Sequence, residues 1–569
     1  MANPSRFQLI DPSRRWWRQT LAAGPGSREE NLAYGKDLLN TPRPRFDSVS
    51  SPTFAQLWQW TVVGALVAYL AVANAPRCSA DETLKRPNIL FAMADDWSWP
   101  HAGAYGANDV KTPVFDQVAR NGILFGNAFA AAPQCSPNRA SILTGRNIWQ
   151  NEEAGTHGSG FPSKFPVFTG ALEESGYLVG YTGKPWGPGN WADYGWTRNP
   201  VGRNFSAVRY SERPEVGFDR NDYAGNFAQF LKTRKKDQPF FFWYGCTEPH
   251  RTYDHGIGVR QGKDLASIDV PPFLPNADQV RSDIADYLVE VEWFDQHLGR
   301  MLELLEKSGE FDNTIVVVTS DNGMPFPRAK ANLYEFGTHM PLAIQWPAKI
   351  QAGRHVEDLV SFIDFGPTFL EASGLKPLHT MTGRTFMNLL TSRESGRIDS
   401  SRQYALAGRE RHTHARAENV GYPARSYRSN DYLYIWNIDP KRWPMGPPIG
   451  PQGGLHDIDR GPSTSYLIDN KDDPKVKNFY DWAAGMRPEN ELFDIKKDPG
   501  CLTNLADNPA YQDVVKELHG KLKVLLTEQK DPRIVGPYHL FDSYPRHNGP
   551  MRPFLGGFAE KGKYNPAFQ

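Results

Sequence analysis

The sequence predicts an α/β fold built on a largely parallel sheet with helices on both faces. Apolar runs of strand length recur from residue 86 onward, and segments with helical periodicity separate them. Strands that are buried on both faces read as continuous apolar runs, as these do. Four runs carry the prediction, at residues 87–94, 176–183, 239–246 and 313–320.

Polar side chains follow each of these four runs. They are, in chain order, Asp95 and Asp96, then Lys184, then His250 and Arg251, and finally Asp321 and Asn322. The carboxyl ends of parallel strands meet at one edge of a sheet, and ligands bind in the crevice outside them. We therefore expect these side chains to converge on one site.

Two helices are predicted by their end signals and their periodicity. Thr112 and Pro113 are typical of an N-cap followed by proline at the first helical position, and Gly122 is a typical stop. Before the fourth strand, apolar residues recur every three or four positions over 280–305, and Gly309 follows.

Beyond residue 396 the alternation loosens into Pro- and Gly-rich stretches, a short strand-like piece at 432–436 and a helical pattern at 514–527. This part is predicted to be a smaller α+β domain. The predicted organisation is an N-terminal extension over 1–85, a main α/β domain over 86–396, an α+β subdomain over 397–530, and a Pro- and aromatic-rich tail over 531–569.

Residues 57–75 are apolar and uncharged, and they end in an Ala-x-Ala pattern at Ala73 and Ala75. This pattern predicts a cleaved signal peptide. An uncleaved signal anchor is the alternative, because the segment approaches the roughly 20 residues of a membrane span and arginines precede it. A buried core helix ranks third. Either of the first two predicts export to a periplasmic, extracellular or lumenal compartment, with membrane attachment through 57–75 in the second.

Charge and cysteine content exclude several classes of protein. Lys plus Arg and Asp plus Glu both number 64, which is not typical of a nucleic-acid-binding protein, so affinity for an anion must come from a local cluster. The four cysteines, Cys78, Cys135, Cys246 and Cys501, are far apart and form no C-x-x-C pair. This spacing argues against a zinc knuckle or a disulfide scaffold.

Cys135 precedes Pro137 and a helix-forming run that ends at Gly145. A helix beginning there would leave free N–H groups beside the sulfur, where anions are favoured, and Arg139 can fold back toward the same place. The alternative is a buried cysteine before a core helix. A thiolate nucleophile needs a basic partner, and no histidine lies close in sequence.

Cys135-x-Pro137-x-Arg139, followed by Leu-Thr-Gly at 143–145, resembles the signature of the type I sulfatases, whose cysteine is oxidised to Cα-formylglycine. Further segments match this family in order: 95–96, 181–184, 249–250, 320–323, 491–494, 498–499 and 504–506. The resemblance implies an alkaline-phosphatase-like α/β/α sandwich with a smaller C-terminal α+β domain, and catalysis in 86–396. It also implies a formylglycine-generating enzyme as a partner.

Within that family, residues 249–251, 320–327, 332–334 and 337–338 resemble the heparan N-sulfatases. This resemblance implies a sulfated glycan as substrate, and the N-sulfate of glucosamine as the group removed. One alternative is an O-sulfatase acting on a sulfated polysaccharide. Another is a related phosphonate or phosphate ester hydrolase, and a third is a membrane-tethered glycan-binding protein whose cysteine is never converted.

The chain departs from the family pattern at two positions. Asn138 replaces the usual small residue inside the signature, and Trp186 follows Lys184 where the family has Lys-x-His. The histidine expected there is absent, and His157 is a candidate for its role.

Asp95, Asp96, Asp321 and Asn322 offer the hard oxygen ligands that Ca²⁺ or Mg²⁺ prefers. Three carboxylates brought together would repel one another without a cation. This donor set favours Ca²⁺ over Mg²⁺, as the resemblance also implies, and Cys135 after modification completes the predicted metal ligands.

The resemblance also assigns roles in catalysis. Hydrated formylglycine at position 135 is a geminal diol, of which one hydroxyl attacks sulfur while the other later expels sulfate. The other predicted roles are Arg139 to hold the diol, Lys184 and Lys330 to neutralise sulfate oxygens, His250 to protonate the leaving atom, and Arg251 and His157 to bind the substrate.

Overall fold

The predicted apolar runs form the centre of an eight-stranded sheet. The computed structural model describes residues 85–448 and 454–547. The hydrophobic segment 57–75 and the tail beyond residue 547 lie outside the described residues. Among the described helices, none combines the length and the apolar character that crossing a bilayer requires.

Fifteen strands are described, and they are numbered here in chain order. They are β1 Asn88–Ala94, β2 Ile123–Phe125, β3 Ala128–Phe129, β4 Leu178–Gly183, β5 Arg203–Asn204, β6 Phe240–Gly245, β7 Thr314–Ser320, β8 His339–Met340, β9 Leu342–Gln345, β10 Arg354–Val356, β11 Val360–Ser361, β12 Ala405–Arg409, β13 Ala424–Arg428, β14 Tyr432–Asn437 and β15 Asn490–Asp494.

The α-helices of the same described ranges are numbered in the same way. They are α1 Pro113–Arg120, α2 Cys135–Thr144, α3 Phe168–Glu174, α4 Tyr223–Thr233, α5 Ile257–Arg260, α6 Asp278–Lys307, α7 Glu335–Thr338, α8 Phe365–Ala372, α9 Met387–Thr391, α10 Pro462–Asp469, α11 Lys477–Ala484, α12 Gln512–Glu528, α13 Pro532–Val535 and α14 Leu540–Ser543. The two helices predicted from end signals and periodicity are α1 and α6.

The main sheet has the order β10-β2-β9-β7-β1-β6-β4-β5. The four predicted strands are the adjacent set β7, β1, β6 and β4, and they run parallel. Strand β9 is antiparallel to both of its neighbours, so the sheet is mixed rather than wholly parallel. The four parallel strands therefore bring their carboxyl ends to one edge, as the sequence predicts.

Both faces of the sheet are covered, because successive side chains of a strand point to opposite faces. Along β1, Leu90 and Ala92 join a core with helices α1, α4 and α6. Ile89 and Phe91 join a second core with helices α2, α3 and α8. These two apolar layers make an α/β/α sandwich and hold the amino end of α2 near the strand ends.

A separate antiparallel sheet, with the order β12-β13-β14-β15, forms the smaller C-terminal unit. Leucines of α12 pack on it, which is the α+β arrangement that the sequence predicts. Residues 531–543 of the predicted tail also belong to this unit. Arg425 on β13 pairs with Asp531 at 2.6 Å and with Glu410 at 2.8 Å, and Glu410 pairs in turn with Arg533 at 2.7 Å.

Candidate active site

The predicted site residues converge at the carboxyl ends of β1, β4, β6 and β7. A cavity of about 490 Å³ opens there. Its lining residues are Asp95, Cys135, His157, Lys184, Gly187, Pro188, Thr247, His250, Lys330, His412, Thr413 and Asp459. Six residues predicted from the sequence therefore share one cavity, although up to 235 positions separate them.

An acidic cluster forms the floor of this cavity. Ligand atoms of Asp95, Asp96 and Cys135 all lie within 4.8 Å of one another. Asp321 Oδ1 accepts a hydrogen bond from the Asp96 backbone N–H at 3.1 Å, and Asn322 Nδ2 donates to Asp96 Oδ1 at 2.7 Å. Asp96 itself has a φ of 76°, a strained conformation for a residue other than glycine.

Two oxygens of this cluster lack a hydrogen-bond donor among the described residues. Asp95 Oδ1 and Asn322 Oδ1 are buried and accept no hydrogen bond from the described part of the chain. A buried acceptor without a partner is costly unless something binds it. The oxygen donors and their burial therefore fit a divalent cation held by Asp95, Asp96, Asp321 and Asn322.

Burial governs the ionisation of these acids. It raises the pKa of Asp96 to about 7 despite the neighbouring Lys330. It also raises the pKa of Asp321 to about 6 despite Arg139. Burial opposes ionisation of Asp95 too, but Lys184, His250 and Arg139 hold the pKa of that carboxyl well below its usual value. A divalent cation would favour the ionised form of all three acids.

Cys135 is the first residue of α2, directly after the N-cap residue Gln134. Its side chain is buried, and burial raises the pKa of the Cys135 thiol well above its usual value. The unmodified thiol is therefore a poor nucleophile at neutral pH, since attack requires the thiolate. This geometry favours the predicted modification over plain thiolate catalysis.

Arg139 lies one turn along α2 and is fully buried. Its Nε donates to Asp321 Oδ2 at 2.8 Å, and its Nη1 donates to the carbonyls of Lys184 and Pro185 at 2.7 and 3.0 Å. Its Nη2 lies 3.9 Å from Asp95 Oδ1 and makes no hydrogen bond within the described residues. Arg139 thus links the helix that carries Cys135 to the ends of β4 and β7.

Two lysines border the acidic cluster. Lys184 pairs with Asp95, and Lys330 Nζ lies 2.6 Å from Asp96 Oδ2 and 3.0 Å from Asp459 Oδ2. Burial opposes protonation of Lys330, but Asp459 and Asp96 raise its pKa well above the usual value. Once a divalent cation neutralises the acids, these two ammonium groups are available to an anion in the cavity.

His250 lies at the cavity with its side chain 35% exposed. Its Nδ1 donates to the Arg251 carbonyl at 2.7 Å, because a carbonyl oxygen only accepts. This bond leaves Nε2 as the titrating nitrogen, 3.9 Å from Asp96 Oδ2. Burial and the nearby Lys330 lower the pKa of His250.

Arg251 is not brought to the cavity, contrary to its predicted role in binding substrate. Its guanidinium donates two hydrogen bonds of 2.7 Å to Asp283 and one of 2.9 Å to the Pro325 carbonyl. It also lies over the rings of Tyr253 and Phe326. Its donors are directed at protein groups, so its observed role is to join the loop after β6 to α6.

The two departures from the family pattern have structural explanations. Asn138 accepts from the Ala131 backbone N–H at 2.9 Å and donates to the Asp321 carbonyl, so it ties α2 to the metal-ligand segment. Trp186 is buried outside the cavity lining and donates to the Ser136 carbonyl at 3.1 Å. His157 does line the cavity, and its Nδ1 donates to the His412 carbonyl at 2.9 Å.

Six cavity residues were missed from the sequence, and three of them, His412, Thr413 and Asp459, come from irregular loops far along the chain. Asp457 anchors both segments that carry them, because its Oδ1 accepts from the backbone N–H and the hydroxyl of Thr413 at 2.9 and 2.7 Å. No periodicity marks these loops. The one available signal is the buried strand β12, which ends at Arg409 shortly before His412.

A family model described as Sulfatase matches residues 87–375, just over half of the chain. The chain belongs to the sulfatase family. Members of this family hydrolyse sulfate esters or sulfamates, so the prediction of a sulfatase is confirmed. A second family model, described as N-sulphoglucosamine sulphohydrolase, C-terminal, matches residues 328–429.

Sequence relatives of this sulfatase include enzymes with different named substrates. An ulvan-active sulfatase of Formosa agariphila is 27% identical, over 78% of this chain and 75% of the relative. The human N-sulphoglucosamine sulphohydrolase is 29% identical, over 79% and 92%. An N-acetylglucosamine-6-O-sulfatase of Bacteroides thetaiotaomicron is 25% identical, over 82% and 90%.

Solved structures with the same fold include a complex with its substrate D-glucosamine-2-N,6-O-disulfate, at a TM-score of 0.58 and 22% identity. The likeness covers 79% of this chain and 99% of that one. A 2-O glycosaminoglycan sulfatase matches at a TM-score of 0.55 and 19% identity, over 83% of this chain and 100% of the other. At these identities the likenesses bear on the fold alone, and they confirm the predicted alkaline-phosphatase-like class.

Proposed function

We propose that this sulfatase removes the N-sulfate from a glucosamine residue of a heparan-type glycan, with a formylglycine formed at Cys135 and a bound Ca²⁺. The observation that carries the proposal is the cavity itself, where Cys135 lies beside an acidic cluster whose carboxylates pair with the ammonium groups of Lys184 and Lys330. The match of residues 328–429 to an N-sulphoglucosamine sulphohydrolase model supports the choice of substrate.

Calcium would be held by Asp95, Asp96, Asp321, Asn322 and the modified residue 135. The buried acceptors Asp95 Oδ1 and Asn322 Oδ1, which lack partners among the described residues, support this assignment. When bound, a divalent cation polarises a sulfate oxygen and favours deprotonation of a nucleophilic hydroxyl. With a cation bound to these acids, Lys184 and Lys330 would no longer be needed to neutralise Asp95 and Asp96, and both ammonium groups would be available to a sulfate.

The modification of Cys135 supplies a geminal diol, whose hydroxyl is the nucleophile toward sulfur. Arg139 holds the helix start that carries this residue against Asp321. Lys184 and Lys330 stabilise the negative charge that develops on the sulfate oxygens. His250 gives a proton from Nε2 to the leaving nitrogen, with Nδ1 held by the Arg251 carbonyl.

Hydrolysis of a 6-O-sulfate on N-acetylglucosamine is the second candidate. The relative from Bacteroides thetaiotaomicron, which is named for that activity, favours this candidate. So does Trp186, which stands where the family pattern Lys-x-His has a histidine. A phosphonate or phosphate ester hydrolase with the same signature is the third.

Export and processing complete the proposal. Residues 57–75 would direct the protein out of the cytoplasm, as a cleaved signal or as an anchor. A formylglycine-generating enzyme would have to act on Cys135 before α2 is buried, because the folded side chain is only 1% exposed, at the base of a cavity too small for another protein.

Two measurements test the proposed function. Intact mass of the peptide that contains Cys135 should show conversion to formylglycine, and an unmodified thiol in active enzyme would contradict the proposal. Turnover should then be compared on N-sulfated glucosamine, 6-O-sulfated N-acetylglucosamine and an aryl phosphonate. Preference for the second substrate would make the protein an O-sulfatase, and preference for the third would remove the sulfatase activity from the proposal.

A further inference from the structure

We propose that Asp459 is a substrate-positioning residue, which accepts a hydrogen bond from a free sugar hydroxyl next to the sulfated position. This inference rests on the proposed function for the place of the reacting sulfate. It assigns a role to a carboxylate that neither the sequence pattern nor the metal cluster explains.

The position of Asp459 relative to the leaving atom carries the argument. Asp459, Asp96 and His250 each place a ligand atom within 4.8 Å of the others. His250 is the proposed proton donor to the leaving atom, so the sugar carbon that bears this atom lies beside His250. A carboxylate at this distance from His250 reaches the substituents of the neighbouring ring carbons.

Asp459 is available for such a contact. Its side chain is 27% exposed, in contrast to the buried acids of the floor, and it lines the cavity. Lys330 lies 3.0 Å from Oδ2, which leaves further lone pairs of the carboxylate for a sugar donor. Burial opposes ionisation of Asp459, but Lys330 and His250 hold its pKa at about 2, so it accepts hydrogen bonds as a carboxylate.

The loop that carries Asp459 is held firmly. The Thr464 hydroxyl donates to the Asp459 carbonyl at 2.7 Å. Two residues earlier, Asp457 accepts from Arg416 at 2.7 Å and from the Thr413 hydroxyl at 2.7 Å. A side chain held on an anchored loop can orient a substrate at little entropic cost.

The rest of this side of the cavity suits an uncharged sugar face. Burial lowers the pKa of His412 to about 4 and that of His157 well below the usual value, so both rings are neutral near pH 7. Thr413, which is uncharged, also lines the cavity. The guanidinium of Arg546 lies near Gly158 and is not among the lining residues of the cavity. The two neutral rings therefore add no charge to the part of the cavity in which Asp459 would accept a sugar hydroxyl.

The first experiment separates contact with the sugar from an indirect effect through Lys330. Asp459→Ala and Asp459→Asn are compared with wild type on N-sulfated glucosamine and on an aryl sulfate, which has no sugar hydroxyl. The ratio of kcat/KM for the sugar to kcat/KM for the aryl sulfate should fall about 10- to 100-fold in Asp459→Ala, the loss expected for a hydrogen bond to a charged group. Equal losses on both substrates would overturn the proposal, because they would indicate a role only in holding Lys330.

The second experiment is a double-mutant cycle on the hydroxyl itself. Removal of the 3-hydroxyl or the 1-hydroxyl from N-sulfated glucosamine should lower kcat/KM for wild type, and one of the two removals should cause little further loss in Asp459→Ala. Additive losses for both hydroxyls would overturn the assignment. Asp431→Asn is the matched control, since Asp431 pairs with Lys496 outside the cavity.

Failure of the N-sulfate proposal can be distinguished from failure of the Asp459 proposal. If wild type hydrolyses 6-O-sulfated N-acetylglucosamine instead, the N-sulfate assignment is wrong. The Asp459 cycle is then measured on that sugar and its 4-deoxy form, because C5 bears the ring oxygen and the 4-hydroxyl is the free hydroxyl nearest to C6, with the same two outcomes. If wild type turns over the aryl sulfate but neither sugar, the Asp459 assignment is wrong as well.

Discussion

Arg139 and Asp321 form a fully buried ion pair, with Nε 2.8 Å from Oδ2. The pair joins the first turn of α2, which carries Cys135, to the end of β7, which carries two predicted metal ligands. Removing one member of such a pair leaves an unpaired buried charge, which costs about 3–5 kcal/mol. The distance between Cys135 and the acidic cluster therefore depends on this arginine, together with Asn138, which also joins α2 to Asp321.

Arg139→Lys should lower kcat/KM about 100-fold or more, because a lysine cannot bridge Asp321 and the Lys184 carbonyl together. Steady-state kinetics on the preferred substrate measures the loss per folded molecule. Arg402→Lys is the control, since Arg402 is equally buried and pairs with Asp364 at 2.8 Å away from the cavity. Similar kinetic losses in both variants would indicate a general effect of core arginines.

Cys135→Ala should abolish turnover, and Cys135→Ser should stop after at most one sulfate transfer, because serine supplies one hydroxyl where the hydrated aldehyde supplies two. Pre-steady-state release of the desulfated sugar measures both variants. Cys501→Ser serves as control, since that cysteine is buried outside the cavity lining. Repeated turnover by either Cys135 variant would contradict the formylglycine assignment.

Chelation should remove activity, and Ca²⁺ should restore it and raise the melting temperature, because binding to the folded state alone stabilises it. Asn322→Ala should weaken Ca²⁺ binding in a calorimetric titration by removing one ligand oxygen. Asn437→Ala, which removes a buried amide that donates to Glu491, tests for a general loss of folding. Unchanged Ca²⁺ affinity in Asn322→Ala would exclude Asn322 as a ligand.

Deleting residues 544–569 should raise KM several-fold and also lower the melting temperature, because it removes two hydrogen-bond acceptors of the buried Arg411. The described part of this segment fastens the loop that carries His157. The His547 backbone N–H donates to the Gly158 carbonyl at 2.7 Å, and Arg411 donates to the carbonyls of Tyr544 and Pro545 at 2.7 and 3.1 Å. Deleting only 548–569 keeps all of these bonds and is the matched comparison. Identical KM values for the two deletions would argue against a role for 544–547.

Stability should decline as the pH falls below about 6.5, because several buried histidines are neutral in the folded state. Burial lowers the pKa of His412 to about 4, and burial with Arg300 lowers that of His297 to about 3. Each group contributes stability that is complete above the unfolded pKa near 6.5 and is lost as the pH falls toward the folded value. The expected slope is about 1.4 kcal/mol per pH unit for each histidine.

Chemical denaturation at pH 7, 5.5 and 4.5 measures this dependence. His297→Phe should flatten the curve, whereas His355→Gln should not, because His355 is about half exposed. If the free energy of unfolding of His297→Phe falls with pH as steeply as that of wild type, other groups control the loss of stability at low pH.

Much of the main domain could be predicted because its signals are local. A buried strand needs a continuous apolar run, and an amphipathic helix needs apolar residues every three or four positions. Local sequence therefore predicts β1, β4, β6, β7 and α6 before any tertiary contact is known. The strand-end rule then places Asp95, Lys184, His250 and Asp321 together without knowledge of the sheet order. The Cys-x-Pro-x-Arg segment predicts the nucleophile position by another route, its resemblance to the sulfatase signature.

Tertiary structure alone decided the partners of the charged side chains. Arg251 is predicted from the sequence to bind substrate, but Asp283 of α6 accepts two hydrogen bonds from its guanidinium. Asp459, His412 and Thr413 reach the cavity from irregular loops of the C-terminal unit, which carry no periodic signal. Local sequence determines which segments form strands and helices, whereas an ion pair or a cavity wall depends on which distant segments the fold brings into contact.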